Sequence, residues 1–117
     1  MRALSRPLAD PLVELVAGRL RVLGQPVRVR LIDRLDWLGE AHVQALADEL
    51  AATQQNTSKH LGALWRAGIL ARRQEGRVTV YSLADREPFV LIERVATGIA
   101  VQLRELADDT PGNPDDL

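Results

Sequence analysis

The sequence predicts a mainly α domain carrying one β-hairpin: five helices, with a two-stranded wing between the fourth and the fifth. Three observations predict it. Apolar residues recur at helical spacing in four stretches separated by glycine, proline or a capping residue, then alternate after Gly68, and return to helical spacing past Asp85. With 117 residues, 46% of them hydrophobic, the chain is long enough to bury one core and too short to split comfortably into two.

The first helix is expected from Asp10 as cap and Pro11 in the first turn, with Leu12, Leu15, Val16, Leu20 and Leu23 as its stripe and Gly24 as its stop. Pro26 opens the second, with Val27, Leu31, Ile32, Leu35 and Leu38 as the buried stripe and Gly39 as the end. A short third helix spans about His42 to Leu50 and buries Val43, Leu46, Ala47 and Leu50. Thr53 caps the fourth, which runs to Ala67 before Gly68. Leu70 to Gln74 and Val78 to Leu83 alternate as strands around a Glu75-Gly76-Arg77 turn. In the last helix Ile92, Ala96, Ile99, Leu103 and Leu106 step by 4, 3, 4 and 3, a heptad seam. The folded domain is therefore placed at 10–106. The segments 1–9 and 107–117, the latter holding two prolines, a glycine and four aspartates, are expected to be disordered.

Composition excludes several classes of chemistry. The chain has no cysteine, which removes disulfides, thiolate metal sites and thiol redox switches. Two histidines, His42 and His60, and a single tyrosine leave few acid–base groups near neutral pH. Ser58 and His60 are two apart on a helix and do not face each other as nucleophile and base, and no glycine loop could cradle a phosphate. The sequence therefore reads as a non-enzyme without metal or cofactor. No apolar run approaches the roughly 18 residues of a membrane span, so the expected compartment is the cytoplasm.

Net charge is −1, but its distribution is uneven. Between Thr53 and Arg77, Lys59, Arg66, Arg72, Arg73 and Arg77 face one acid, Glu75, whereas the stretch from Glu105 onward is acidic with no base. A basic middle calls for an anionic partner. On a wheel of about 100° per residue, Thr57, Leu61 and Leu64 share the core side of the fourth helix, so Gln55, Lys59, Gly62 and Arg66 share the other, flanked by Asn56 and Ser58. Gln and Lys hydrogen-bond base edges in a major groove, and Lys59 and Arg66 equally suit phosphates; Gln54 sits at the helix start, where backbone N–H groups favour an anion. Arg72, Arg73 and Arg77 approach the hairpin tip, within reach of a sugar–phosphate backbone or minor groove. Taken singly, the polar run is ordinary helix filler and the hairpin a solvated charged turn. Together, short helix, tight connection, second helix and basic hairpin give the order of a winged helix-turn-helix, with double-stranded DNA as partner.

Leu23 to Leu35 (LGQPVRVRLIDRL), Val43 to Leu50 (VQALADEL), Thr57 to Leu70 (TSKHLGALWRAGIL) and Arg72 to Leu83 (RRQEGRVTVYSL) resemble the ArsR-type winged-helix repressors. The most specific piece is S-x-H-L-x-x-L-x-x-A-G-I-L from Ser58 to Leu70. The resemblance implies a homodimer joined through the first and last helices, bound to an imperfect promoter palindrome and usually repressing it. Leu12, Leu15, Val16, Ile92, Ala96, Ile99 and Leu103 are the residues expected at that junction. It also places His60 in the helix-turn-helix framework, among the residues expected at the DNA, and matches Arg28 to an arginine that serves as scaffold or backbone contact. A solvated helix face is the other reading of Arg28.

Two departures bear on the input signal. Metal sensors of this family carry E-L-C-V-C-D-L where this chain has Glu40-Ala41-His42-Val43-Gln44-Ala45-Leu46. Others use Asp and His pairs on the last helix, where this chain has no histidine and only scattered carboxylates. His42 reads as an exposed helix-start residue, His60 as a bridge between core and backbone polar groups, and Trp37 and Trp65 as packing residues. Regulation is then expected from a small molecule of unknown identity in the cleft between the dimer helices, from a partner, or from protein abundance alone. The alternative function is a winged helix that docks an acidic protein surface without binding DNA.

Overall fold

The structure, a computed structural model, describes residues 4–109. Its elements are α1 (Asp10–Leu23), α2 (Pro26–Leu38), β1 (Glu40–His42), α3 (Val43–Glu49), α4 (Gln54–Arg66), β2 (Leu70–Glu75), β3 (Val78–Leu83) and α5 (Glu87–Asp109). α5 continues through residues 107–109, which were expected in the tail, while 1–3 and 110–117 lie outside the described residues.

The punctuation read from the sequence works locally. Pro26 occupies the first turn of α2, and Gly39, at φ +85°, ends it with its N–H donated to the Leu35 carbonyl. Thr53 caps α4 by accepting the Asn56 N–H at 3.1 Å. Asp10 does not cap α1: it is the first helical residue, and the cap position falls to Ala9, which has no side chain for the task. His42 caps α3, its Nδ1 accepting the Ala45 N–H at 3.2 Å, so that helix starts one residue later than expected.

The wing has three strands rather than two. β1 pairs antiparallel with β3 (Glu40 with Ser82, Ala41 with Tyr81, His42 with Val80), giving the order β1-β3-β2. The reason is that β3 carries the buried Val80 and Tyr81, and pairing on both edges satisfies its backbone while covering them. Three residues are too few to show a period in sequence. β2 also runs one residue further, leaving Gly76 and Arg77 as a two-residue turn, with φ +66° at Gly76.

The core gathers Leu31, Ile32 and Leu35 of α2, Leu46 of α3, Leu61 and Leu64 of α4, and Ile69, all at 0–1% exposure. Thr57 faces the same core, fully buried. The stripe of α2 is shorter than expected: Val27 is only partly covered, and Leu38, the last helical residue, is 46% exposed. Leu50 is likewise only half-buried.

α1 and most of α5 stand away from this core. Of α1 only Leu23 is buried, and Leu15 is 71% exposed. α5 lays Phe89, Leu91 and Ile92 on the core near its start, and from Glu93 to its end every residue is exposed, including Val95, Ile99 and Leu103. The Cα radius of gyration is accordingly 18.8 Å, against about 13 Å for a compact domain of this length.

Candidate nucleic-acid interface

α3 and α4 form the helix pair, joined through Leu50–Thr53, with Ala51 at φ +52° in the connection. α4 turns Thr57, Leu61 and Leu64 inward, as its periodicity required, and leaves Gln54, Gln55, Asn56, Ser58 and Lys59 exposed at its N-terminal end. Thr53, Gln55, Asn56 and Lys59 line an open hollow there. Exposed amide and ammonium groups beside the free N–H groups of a helix start are suited to base edges and to phosphate oxygens.

Farther along the same face the structure departs from the wheel. Gly62 is buried, because the Arg66 guanidinium folds back over it: a Cβ built at Gly62 would meet Arg66 Nη1 at 3.2 Å. The glycine therefore seats the arginine instead of leaving a bare strip.

The hairpin arginines differ in their engagements. Arg73 makes a two-pronged ion pair with Glu40 of β1, at 2.5 and 3.0 Å, and reaches Glu75 at 2.7 Å. That hydrogen bonding holds the Glu40 carboxyl below the usual carboxylate range and raises the Arg73 guanidinium further above its own. Arg72 lies flat on the Trp65 ring, its central carbon 3.4 Å from the ring centroid. Arg77 sits exposed in the turn. Thus the structure brings Lys59, Arg66, Arg72 and Arg77 to α4 and the hairpin, none of them paired with an acid among the described residues, and ties Arg73 to two carboxylates. The sequence hid these pairings because Glu40 meets Arg73 only once β1 is in the sheet, and Trp65 meets Arg72 only when β2 packs beside α4.

His60 is half-buried on the flank of α4, and its Nδ1 accepts from Arg28 Nε at 3.1 Å. Its partner is thus a side chain rather than the backbone, and of the readings of Arg28 the scaffold is the one realised. Burial first, and then the charges of Arg28 and Lys59, hold the His60 imidazole below its ordinary pKa. Trp37 is no packing residue: it is 81% exposed at the end of α2.

On the opposite side, an apolar cavity of about 320 Å³ between α1, α2 and α5 is lined by Leu20, Leu23, Val29, Leu91, Val95 and Ile99 among others. Of the residues expected at a dimer junction, Leu15, Val16, Ala96, Ile99 and Leu103 are exposed, whereas Leu12 is half-covered and Ile92 leans on the protomer's own core. Among the described residues no three His, Asp or Glu side chains are grouped to hold a metal ion, and no helix is long and apolar enough to cross a membrane.

No protein-family model matches the chain. It is 30% identical over 100 residues to the uncharacterized HTH-type transcriptional regulator Rv0081 of Mycobacterium tuberculosis, a match over 86% of this chain and 85% of that one. The crystal structure of Rv0081 superposes with a TM-score of 0.65 over 88% of this chain and all of that one. The solution structure of Mb0332 from Mycobacterium bovis, described as a homodimeric winged helix-turn-helix DNA-binding domain of a possible ArsR-family regulator, is 28% identical with a TM-score of 0.68, over 83% of this chain and 91% of that one. NolR from Sinorhizobium fredii gives 26% and 0.69, over 83% and 95%. The same helix pair, the same wing and this kinship along most of the chain place the protein in the ArsR-type family of winged helix-turn-helix transcriptional regulators.

Proposed function

We propose that the protein is a cytoplasmic homodimer that binds a palindromic promoter site in double-stranded DNA and represses transcription, without catalysis, metal or cofactor. The observation that carries this reading is the exposed polar and basic end of α4 beside a wing whose turn holds Arg77, on a fold whose relatives are regulators. Gln55 reads a base edge, with Gln54, Asn56 and Ser58 around it. Lys59, Arg66, Arg72 and Arg77 hold the phosphate backbone. The exposed apolar residues of α1 and α5 form the dimer contact, which sets the spacing of the two reading helices. An apolar effector would act in the cavity between α1, α2 and α5, where it would compete with the partner's side chains.

Substitution separates the two kinds of contact. Gln55→Ala is expected to relax base preference at one position per half-site by about 1–3 kcal/mol, and Arg77→Ala to weaken all sequences alike. Competition binding against a panel of single-base operator variants measures both; uniform effects from both substitutions would overturn the groove assignment. A protein that captures an acidic protein partner and ignores DNA at low salt would instead be an interaction module.

Arg73 gives a second test. Replacing its two acids together, Glu40→Gln with Glu75→Gln, frees one more cation per subunit. DNA binding should tighten at low salt, and the slope of log affinity against log salt should steepen by about 2 for the dimer. An unchanged slope would mean that Arg73 already reaches phosphate in the complex.

A further inference from the structure

α4 is fastened to the rest of the molecule by apolar packing and by a polar tie that crosses three helices. Arg28, in the first turn of α2, donates from Nε to His60 Nδ1 at 3.1 Å and from Nη1 to the Val22 carbonyl at 3.1 Å. Val22 lies next to the end of α1, and His60 lies in the middle of α4. A guanidinium is a rigid plane, so its two donor directions are fixed relative to each other. Movement of α4 against the end of α1 must break one of the two bonds.

The same tie fixes the state of the imidazole. Arginine has no acceptor and keeps its protons, so Nδ1 must present a lone pair and the imidazole proton sits on Nε2. We propose that Arg28 is a positioning residue, a strut that sets the pose of the reading helix relative to the end of α1, and that His60 is a latch on that strut which opens when Nδ1 is protonated. This rests on the DNA-binding reading above and extends it to how the reading helix is held.

The electrostatics around the latch favour one direction. Among the described residues the charges that act on the His60 imidazole are those of Arg28 from α2 and Lys59 from its own helix, both cations, and α1 reaches the guanidinium through the Val22 carbonyl. An imidazolium would lose its acceptor and sit among like charges. Burial and these two cations hold the imidazole below its ordinary pKa, so the latch is closed at neutral pH. A histidine whose folded pKa is depressed contributes its stabilisation above the ordinary histidine pKa and loses it as pH falls toward the folded value. Acid is therefore the releasing direction.

The test uses the full chain as wild type, His60→Asn and Arg28→Lys, with a duplex selected by the wild type from a random pool and an unselected duplex as control. Affinities are measured by fluorescence anisotropy at pH 7.5 and 5.5, and circular dichroism verifies the fold at both. Asparagine Oδ1 replaces Nδ1 as acceptor and does not titrate. The wild-type preference for the selected duplex should fall as pH is lowered from 7.5 to 5.5. Whatever its affinity at pH 7.5, His60→Asn should keep the same preference at pH 5.5. Arg28→Lys, whose single ammonium cannot span both acceptors with the fork geometry, should lose about tenfold at pH 7.5 and vary little with pH. A flat wild-type profile, a His60→Asn profile that follows the wild type, or an Arg28→Lys variant equal to the wild type would each overturn the strut. Failure of the wild type to select any duplex would overturn the DNA-binding reading itself, and this inference with it.

Discussion

Raising the salt concentration from 50 to 200 mM is expected to weaken DNA binding by about 10⁴-fold. In the proposed complex Lys59, Arg66, Arg72 and Arg77, unpaired with acids among the described residues, face the DNA, and two subunits together would neutralise about eight phosphates. Each neutralised phosphate releases condensed counterions, giving a slope near −7 in a plot of log affinity against log salt. A net charge of −1 offers no general attraction to DNA, so the whole effect must come from this local cluster. Titrations at several salt concentrations decide the matter, and a flat response would remove the phosphate contacts from the proposal.

Ile99→Asp is expected to abolish both the dimer and DNA binding at concentrations where the wild type retains them. Ile99 is 50% exposed on α5 in the protomer, in line with Ala96 and Leu103 and beside the apolar cavity. Covering a whole side chain of this kind is worth about 1.5–3 kcal/mol, so the exposed half of Ile99 is worth about 0.7–1.5 kcal/mol, and the symmetry of a dimer counts it twice. Loss of both copies alone would weaken association by about 10 to 10², before the cost of placing carboxylates in a dry contact. The protomer should still fold, because its core ends at Phe89, Leu91 and Ile92 on this helix. Sedimentation and circular dichroism together read the outcome; an unchanged dimer of folded Ile99→Asp protein would disprove the contact.

Where a single residue dictates the backbone, the sequence was readable. Gly39 and Gly76 need positive φ, Thr53 supplies a hydroxyl to an orphan amide, and Pro26 suits a first turn, so the edges of α2, α4 and the hairpin followed from residue chemistry. Periodicity was less decisive, because it marks an apolar face without saying what covers it. Leu35 and Leu15 occupy comparable places on their stripes, yet one is buried in its own core and the other faces outward. Contacts between residues distant in the chain were the least legible. The Arg73–Glu40 pair spans 33 residues and depends on a three-residue strand, and the Arg28–His60 bond spans 32. Neither has a local signature, and both change the roles of residues that composition alone made look alike.

In the proposed dimer, the long exposed part of α5 makes protein concentration a variable of that helix's own order. From Glu93 to Asp109 every residue of the helix is exposed, and most helical stability in proteins comes from tertiary packing of an apolar face rather than from propensity. In the proposed dimer its order is shared with a second copy, so the thermal midpoint is expected to rise as the protein is concentrated and to fall as it is diluted. In a cell, the number of copies would then govern how much of α5 is ordered as well as how much DNA is occupied. Occupancy would fall off more steeply than simple binding predicts when synthesis stops, and the fraying helix would be the first segment offered to a protease.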